Sequence, residues 1–266
     1  MPTAGPARAT WNGARASARR RTRRSIFLFN PWKGPDINND SSARGIQPRA
    51  SVLVLPGGGY QKHAAHEAEA YAGWLSNLGF DAVVLRYAVG PNAWPKALEE
   101  ARETLAWMRE RAGEHTPVGV IGSSAGGHLA AALSTATCPD IAPARTRPDF
   151  CILAYPLISF EVEAHPGSTA NVLGDNPSDE DRRRVSVDRY VDAAVPPTFL
   201  WTTADDASVS PRHAMRYAEA LTAAGVPMEL HVFPHGIHGL GLATDDPVVG
   251  VWTTLCERWL TGLTRT

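Results

Sequence analysis

Apolar positions come in two rhythms along residues 51–260, and they alternate. Ser51–Leu55 is short, apolar after Ser51 and carries β-branched Val52 and Val54, the pattern of a strand buried on both faces. Pro56-Gly57-Gly58-Gly59-Tyr60 breaks it. His66–Asn77 then carries Ala68, Tyr71, Ala72 and Leu75 at helical spacing, and Gly79 supplies a stop. Ala82–Tyr87 predicts a second buried strand. Pro95 opens an amphipathic helix over Ala97–Arg111 that Gly113 closes.

The same alternation continues downstream. Strands are predicted at Val118–Ile121, Phe150–Tyr155, Thr198–Thr202 and Glu229–Phe233, and helices at Ala125–Thr135, Pro211–Ala224 and Val248–Leu260. Strand, helix, strand with short connections implies right-handed crossovers and a mostly parallel, doubly wound α/β sheet with helices on both faces. Leu157–Val195 departs from the rhythm. It is long and polar, with Gly167, Gly174, Pro177 and the charged block Asp179–Arg184. It reads either as a lid-like insertion over the carboxyl edge of the sheet or as a solvated excursion with a short helix. No internal repeat and no second domain boundary is visible, so residues 26–266 are expected to form a single domain.

Composition narrows the class. The chain has 266 residues, 44% hydrophobic and 20% charged, which is ordinary globular usage. No apolar run approaches the roughly 20 residues of a membrane span. Cys138, Cys151 and Cys256 lack C-x-x-C spacing, which argues against a zinc site or a disulfide scaffold and suits a reducing, cytoplasmic compartment. Net charge is -1, but residues 1–24 hold seven arginines and no acid. Removing those seven positive charges from -1 leaves -8 on the rest, a mildly acidic body with no basic face for nucleic acid. Residues 1–25 are therefore expected to be a basic, disordered arm. Thr22-Arg23-Arg24-Ser25-Ile26-Phe27-Leu28 loosely resembles a twin-arginine export signal, yet the apolar stretch Ile26–Phe29 falls short of the roughly 7–15 residues a signal requires.

Candidate chemistry sits where strands give way to helices or loops. Gly122-Ser123-Ser124-Ala125-Gly126 is a G-x-S-x-G string between a strand and a helix, the setting of a nucleophile elbow, which would lift Ser124 Oγ to the helix N-terminus. Three glycines after the first strand allow close backbone approach, so the amides of Gly58 and Gly59, with that of Ala125, form a candidate oxyanion hole. The spacing fits neither phosphate-loop pattern. A serine nucleophile needs a base and the base an orienting carboxylate, in chain order Ser, Asp/Glu, His. Thr203-Ala204-Asp205-Asp206-Ala207-Ser208-Val209 follows the fifth strand and Phe233-Pro234-His235-Gly236-Ile237-His238-Gly239 the sixth. Asp206 and His238 are the expected pair, with Asp205 and His235 as competitors. No histidine set has metal-site spacing, so no metal and no organic cofactor is expected.

These residues resemble the α/β-hydrolase esterases, within them the acetyl-xylan-esterase-like or acetylesterase/lipase-like branch. The likeness rests on PGGGY (56–60), GSSAGGH (122–128), RPDFCILAYPLIS (147–159), PPTFLWTTADDASV (196–209) and GVPMELHVFPHGIHGLGLA (225–243), and covers roughly residues 50–260. The resemblance implies a mostly parallel eight-stranded sheet, Ser124, Asp206 and His238 as triad, and hydrolysis of short acyl esters, often acetyl groups on sugars. The chain departs from the lipase-like pattern in having Pro56 where those relatives read His, and Val209-Ser210-Pro211 where Val-Pro is usual. The Trp-Gly-x-Asp-Pro stretch before the elbow strand is absent, and Glu114-His115-Thr116-Pro117 stands there. The expected partner is a small-molecule ester, with the oligomeric state left open, a homodimer included. Rival readings are a thioesterase, lactonase, amidase or acyltransferase on the same triad, and a non-catalytic binding protein of the same fold.

Overall fold

A computed structural model describes residues 1, 48–135 and 147–263. The arginine-rich arm, the stretch Ile26–Phe29 and Cys138 lie outside the described residues. All elements below belong to the unit Asn39–Thr266.

Six parallel strands form one sheet: β1 (Ser51–Leu55), β2 (Asp81–Val84), β3 (Val118–Ser123), β4 (Cys151–Ala154), β5 (Thr198–Thr203) and β6 (Met228–Phe233), in the order β2-β1-β3-β4-β5-β6. The α/β class, the parallel sheet and its helical cover are as the pattern predicts. The strand count is six among the described residues, against the eight that the resemblance implies; residues 2–47, which precede β1, are not described.

The helices are α1 (Glu69–Asn77), α2 (Lys96–Ala112), α3 (Ser124–Thr135), α4 (Pro166–Leu173), α5 (Asp179–Val185), α6 (Arg212–Ala223) and α7 (Trp252–Leu263). The core lies on both faces of the sheet because strand side chains alternate. Leu53, Leu55, Val118, Val120, Leu153 and Leu200 face one way, against Leu98, Leu105, Leu129 and Leu221 of the helices. Val52, Val54, Ile121, Ile152, Phe199 and Trp201 face the other, against Tyr71, Leu75, Trp252 and Leu260. This two-sided burial is why the central strands read as unbroken apolar runs.

Three local expectations shift. The helix expected over His66–Asn77 is broken: Ala65–Glu67 is a separate 3-10 turn, and Ala68 (φ -102, ψ -86) divides it from α1. The second strand stops at Val84, because Tyr87 turns inward to donate its hydroxyl to the Pro56 carbonyl at 2.6 Å. The last helix begins at Trp252 instead of Val248, since Asp246 Oδ1 accepts the Val248 and Val249 amides and holds a turn there. The 157–195 segment contains α4, α5 and a 3-10 turn at Val187–Tyr190. No described helix is long and apolar enough to cross a membrane.

Candidate active site

β3 passes directly into α3, and Ser124 stands at the corner with φ +51, a left-handed value that costs a non-glycine residue energy. The corner is compressed from both sides. A Cβ on Gly122 would lie 2.2 Å from the Gly126 carbonyl oxygen, and one on Gly126 would lie 2.0 Å from that of Leu55. Glycine at both positions is therefore a steric requirement of the turn.

Ser124 Oγ lies 2.8 Å from His238 Nε2, and His238 Nδ1 lies 2.6 Å from Asp206 Oδ2. The carboxylate accepts from Nδ1–H, which leaves Nε2 unprotonated to accept the serine hydroxyl. The other oxygen of Asp206 accepts the amides of Ser208 and Val209 at 2.9 and 3.0 Å. Burial opposes ionisation of Asp206, but the bonds from His238, Val209 and Ser208 outweigh it and hold the carboxyl below its ordinary value. The three side chains come from the carboxyl ends of β3, β5 and β6, which parallel pairing brings to one rim.

Asp205 and His235, the competitors in sequence, pair with each other instead. His235 Nδ1 is 2.9 Å from Asp205 Oδ2, and Asp205 Oδ1 accepts the Gly236 amide at 2.8 Å. Both are exposed, and their pairing braces the loop that carries His238. An open cleft of about 390 Å³ lies on that side, lined by Asp205, Ala207, Ser208, Gly236, Ile237 and His238.

The loop Pro56–Tyr60 approaches the elbow from β1. Gly58 and Gly59 have φ +125 and +64, and among the described residues no acceptor is bound to their amides or to that of Ala125. The carbonyl of Gly59 accepts from Asn171 Nδ2 at 3.0 Å, so α4 of the insertion packs against this loop. Behind it, the Tyr60 hydroxyl donates to His128 Nδ1 at 2.7 Å, while Nε2–H of His128 donates to the Val185 carbonyl at 2.7 Å. Burial pushes this imidazole down to about 4, so it stays neutral and ties glycine loop, α3 and insertion together. Burial holds the imidazole of His165, at the start of α4, below its ordinary pKa.

The sequence reading missed Glu67. Its carboxylate is buried, accepting the Gly57 amide and the Tyr155 hydroxyl, each at 2.7 Å. The available signal was its spacing: Glu67 falls four residues before the inward-facing Tyr71, on the buried side of its turn. No group of three or more His, Cys, Asp or Glu able to hold a metal occurs among the described residues.

Residues 52–242 match the family model described as alpha/beta hydrolase fold, and the chain belongs to that family. It is similar to endo-1,4-beta-xylanase B of Butyrivibrio fibrisolvens, at 32% identity over 246 residues, covering 83% of this chain and 39% of the relative. It is 28% identical to an acetylxylan esterase of Xylanibacter ruminicola over 204 residues, 73% of this chain and 42% of the relative. The chain thus spans about two fifths of these curated relatives' length. Among solved structures, an acetyl ester-xyloside bifunctional hydrolase from Caldicellulosiruptor lactoaceticus superposes with a TM-score of 0.75 at 36% identity, covering 87% of this chain and 94% of that one.

Proposed function

We propose that this chain is a serine carboxylic-ester hydrolase that removes acetyl groups from carbohydrates. The observation that carries the reading is the hydrogen-bonded series Ser124–His238–Asp206 beside the amides of Gly58, Gly59 and Ala125, which have no acceptor among the described residues. The similarity to an acetylxylan esterase and to an acetyl ester-xyloside hydrolase supports the acetyl and carbohydrate specificity.

In this reading His238 takes the Ser124 proton as Oγ attacks the ester carbonyl carbon. Asp206 keeps the imidazole in the Nδ1–H tautomer and stabilises its cationic form. The amides of Gly58, Gly59 and Ala125 receive the oxyanion. Collapse expels the alcohol, which takes its proton from His238. Water, deprotonated by His238, then attacks the acyl-serine, and acetate leaves with Ser124 restored. The described residues between 48 and 263 act as one catalytic domain, and 157–195 is its lid-like insertion, tied to the glycine loop through the bond from Asn171 to the Gly59 carbonyl.

Hydrolysis of acetylated xylo-oligosaccharides and of p-nitrophenyl esters of increasing chain length tests the proposal. Acetyl should exceed hexanoyl in kcat/KM by about tenfold or more, given that each added methylene shifts pocket discrimination by roughly 1–3 kcal/mol. Preference for long acyl chains, thioesters or amides would overturn the substrate assignment.

A further inference from the structure

Glu67 ends the 3-10 turn at Ala65–Glu67 and points into the protein, only 2% exposed. No lysine or arginine pairs with it among the described residues; its ion-pair contact is with His66 Nε2 at 3.7 Å. Burying a carboxylate without a firm cationic partner costs several kcal/mol. It contributes little apolar packing in return, so its use lies in what its two oxygens hold.

Those oxygens reach both halves of the site. Oε2 accepts the amide of Gly57, the residue directly before Gly58 and Gly59. A Cβ on Gly57 would lie 2.5 Å from Oε2, 2.8 Å from the Ser123 carbonyl oxygen and 3.1 Å from Ser124 Cβ. This stretch of backbone is wedged between the carboxylate and the elbow. Oε1 accepts the hydroxyl of Tyr155, whose oxygen in turn accepts the Gly241 amide at 2.9 Å. The Tyr155 ring stands edge-on to the His238 imidazole, with centroids 5.1 Å apart. Next door, His66 donates from Nε2 to the Gly239 carbonyl at 2.8 Å. Positions 66 and 67 therefore hold residues 57, 239 and 241, which flank the amide pair and the imidazole.

We infer that Glu67 is a positioning residue that sets the separation between the Gly58–Gly59 amides and the His238 imidazole across Ser124, so that both engage the tetrahedral intermediate together. This rests on the ester-hydrolase reading. The oxyanion and the shared proton exist only on the way to and from that intermediate, and a displacement near 1 Å at such donors costs on the order of 10²-fold in rate. Ground-state ester binding makes no such demand, so the effect belongs to kcat and not to KM. Both Glu67 oxygens are already engaged, which leaves proton transfer to His238.

The test compares Glu67→Ala, which removes both bonds, with Glu67→Gln, which keeps an acceptor for Gly57 and can donate to the Tyr155 oxygen. The readouts, taken well below each variant's Tm, are kcat and KM for p-nitrophenyl acetate and the affinity of an alkyl boronic acid, whose serine adduct mimics the tetrahedral anion. Glu67→Ala should lose about 10²-fold in kcat with KM within about threefold, and boronate affinity should fall in parallel. Glu67→Gln should recover most of both. If Glu67→Ala does not fold, Tyr155→Phe, which removes the bonds to Glu67 Oε1 and to the Gly241 amide, takes its place, and a loss of about threefold or more in both kcat and boronate affinity, at unchanged KM, supports the inference. Overturning results, read on Glu67→Ala or its replacement, are kcat within about twofold of wild type, a rise in KM alone, or a kcat loss with boronate affinity unchanged. A wild-type protein that neither cleaves the ester nor binds the boronate would instead overturn the hydrolase reading itself.

Discussion

Asp205 and Asp206 are neighbours in the chain, yet their carboxylates reach different imidazoles: Asp205 that of His235 at 2.9 Å, and Asp206 that of His238 at 2.6 Å. The first pair is exposed, while the Asp206 side chain is fully buried. Exposed ion pairs contribute about 0–1 kcal/mol, whereas a buried carboxylate that fixes a catalytic tautomer governs the rate. Asp206→Asn should lower kcat by about 10³–10⁴-fold. Asp205→Asn should cost less than about fivefold, through a looser His238 loop. Steady-state kinetics on the two variants checks this, and the reverse ranking would move the orienting role to Asp205.

Stability should fall with acid over a defined window, because His128 is buried neutral between the Tyr60 hydroxyl and the Val185 carbonyl. The unfolded chain protonates this imidazole below about 6.5, while the folded one resists to about 4. The unfolded state thus binds more protons in between, and stability declines as pH drops from about 6.5 to about 4, by up to about 3 kcal/mol. Above that window the contribution is complete; below it no more is lost from this group. His63, His165 and His213, also lowered chiefly by burial, act in the same direction. Urea midpoints across pH 4–8 should slope through this range, and His128→Asn should flatten part of the slope. Parallel profiles for variant and wild type would contradict the assignment.

The elbow should tolerate no side chain at position 126. A Cβ there would overlap the Leu55 carbonyl oxygen at 2.0 Å and that of Pro56 at 2.6 Å, both backbone atoms of the neighbouring strand and loop. Gly126→Ala should cost about 3 kcal/mol or more, a Tm loss of roughly 6–12 °C in a domain of this size. Gly73→Ala is the control, since a Cβ there meets nothing within 4 Å inside α1, and the better helix former should leave Tm unchanged or raise it by roughly 1–4 °C. Thermal melts of the two variants decide it.

Much of this architecture was legible because the signals were local. Leu53 and Val54 point to opposite faces, and both faces are covered, so β1 reads as an unbroken apolar run from Val52 to Leu55. Parallel strands carry their following loops to one edge, so motifs after β3, β5 and β6 were bound to share a rim. What escaped depended on contacts between distant segments. Nothing near Ala68 announces a break in the helix; the turn before it is pulled inward by Glu67 reaching Gly57 and Tyr155, ten and 88 positions away. Tyr87 continues the apolar pattern of β2, but its hydroxyl leaves the ladder to meet Pro56. The pairing of His235 with Asp205 likewise depends on how two loops 30 positions apart meet, since either aspartate could follow β5 into the site.

The central claim is that Ser124 attacks an ester and is acylated. Acid quench of the protein during turnover of p-nitrophenyl acetate, followed by peptide mass spectrometry, reads this directly. One acetyl group should be found on Ser124, and Ser124→Ala should lose the adduct and roughly 10³-fold or more of kcat. An acetyl group on another residue, or a Ser124→Ala variant that turns over near the wild-type rate, would contradict the account.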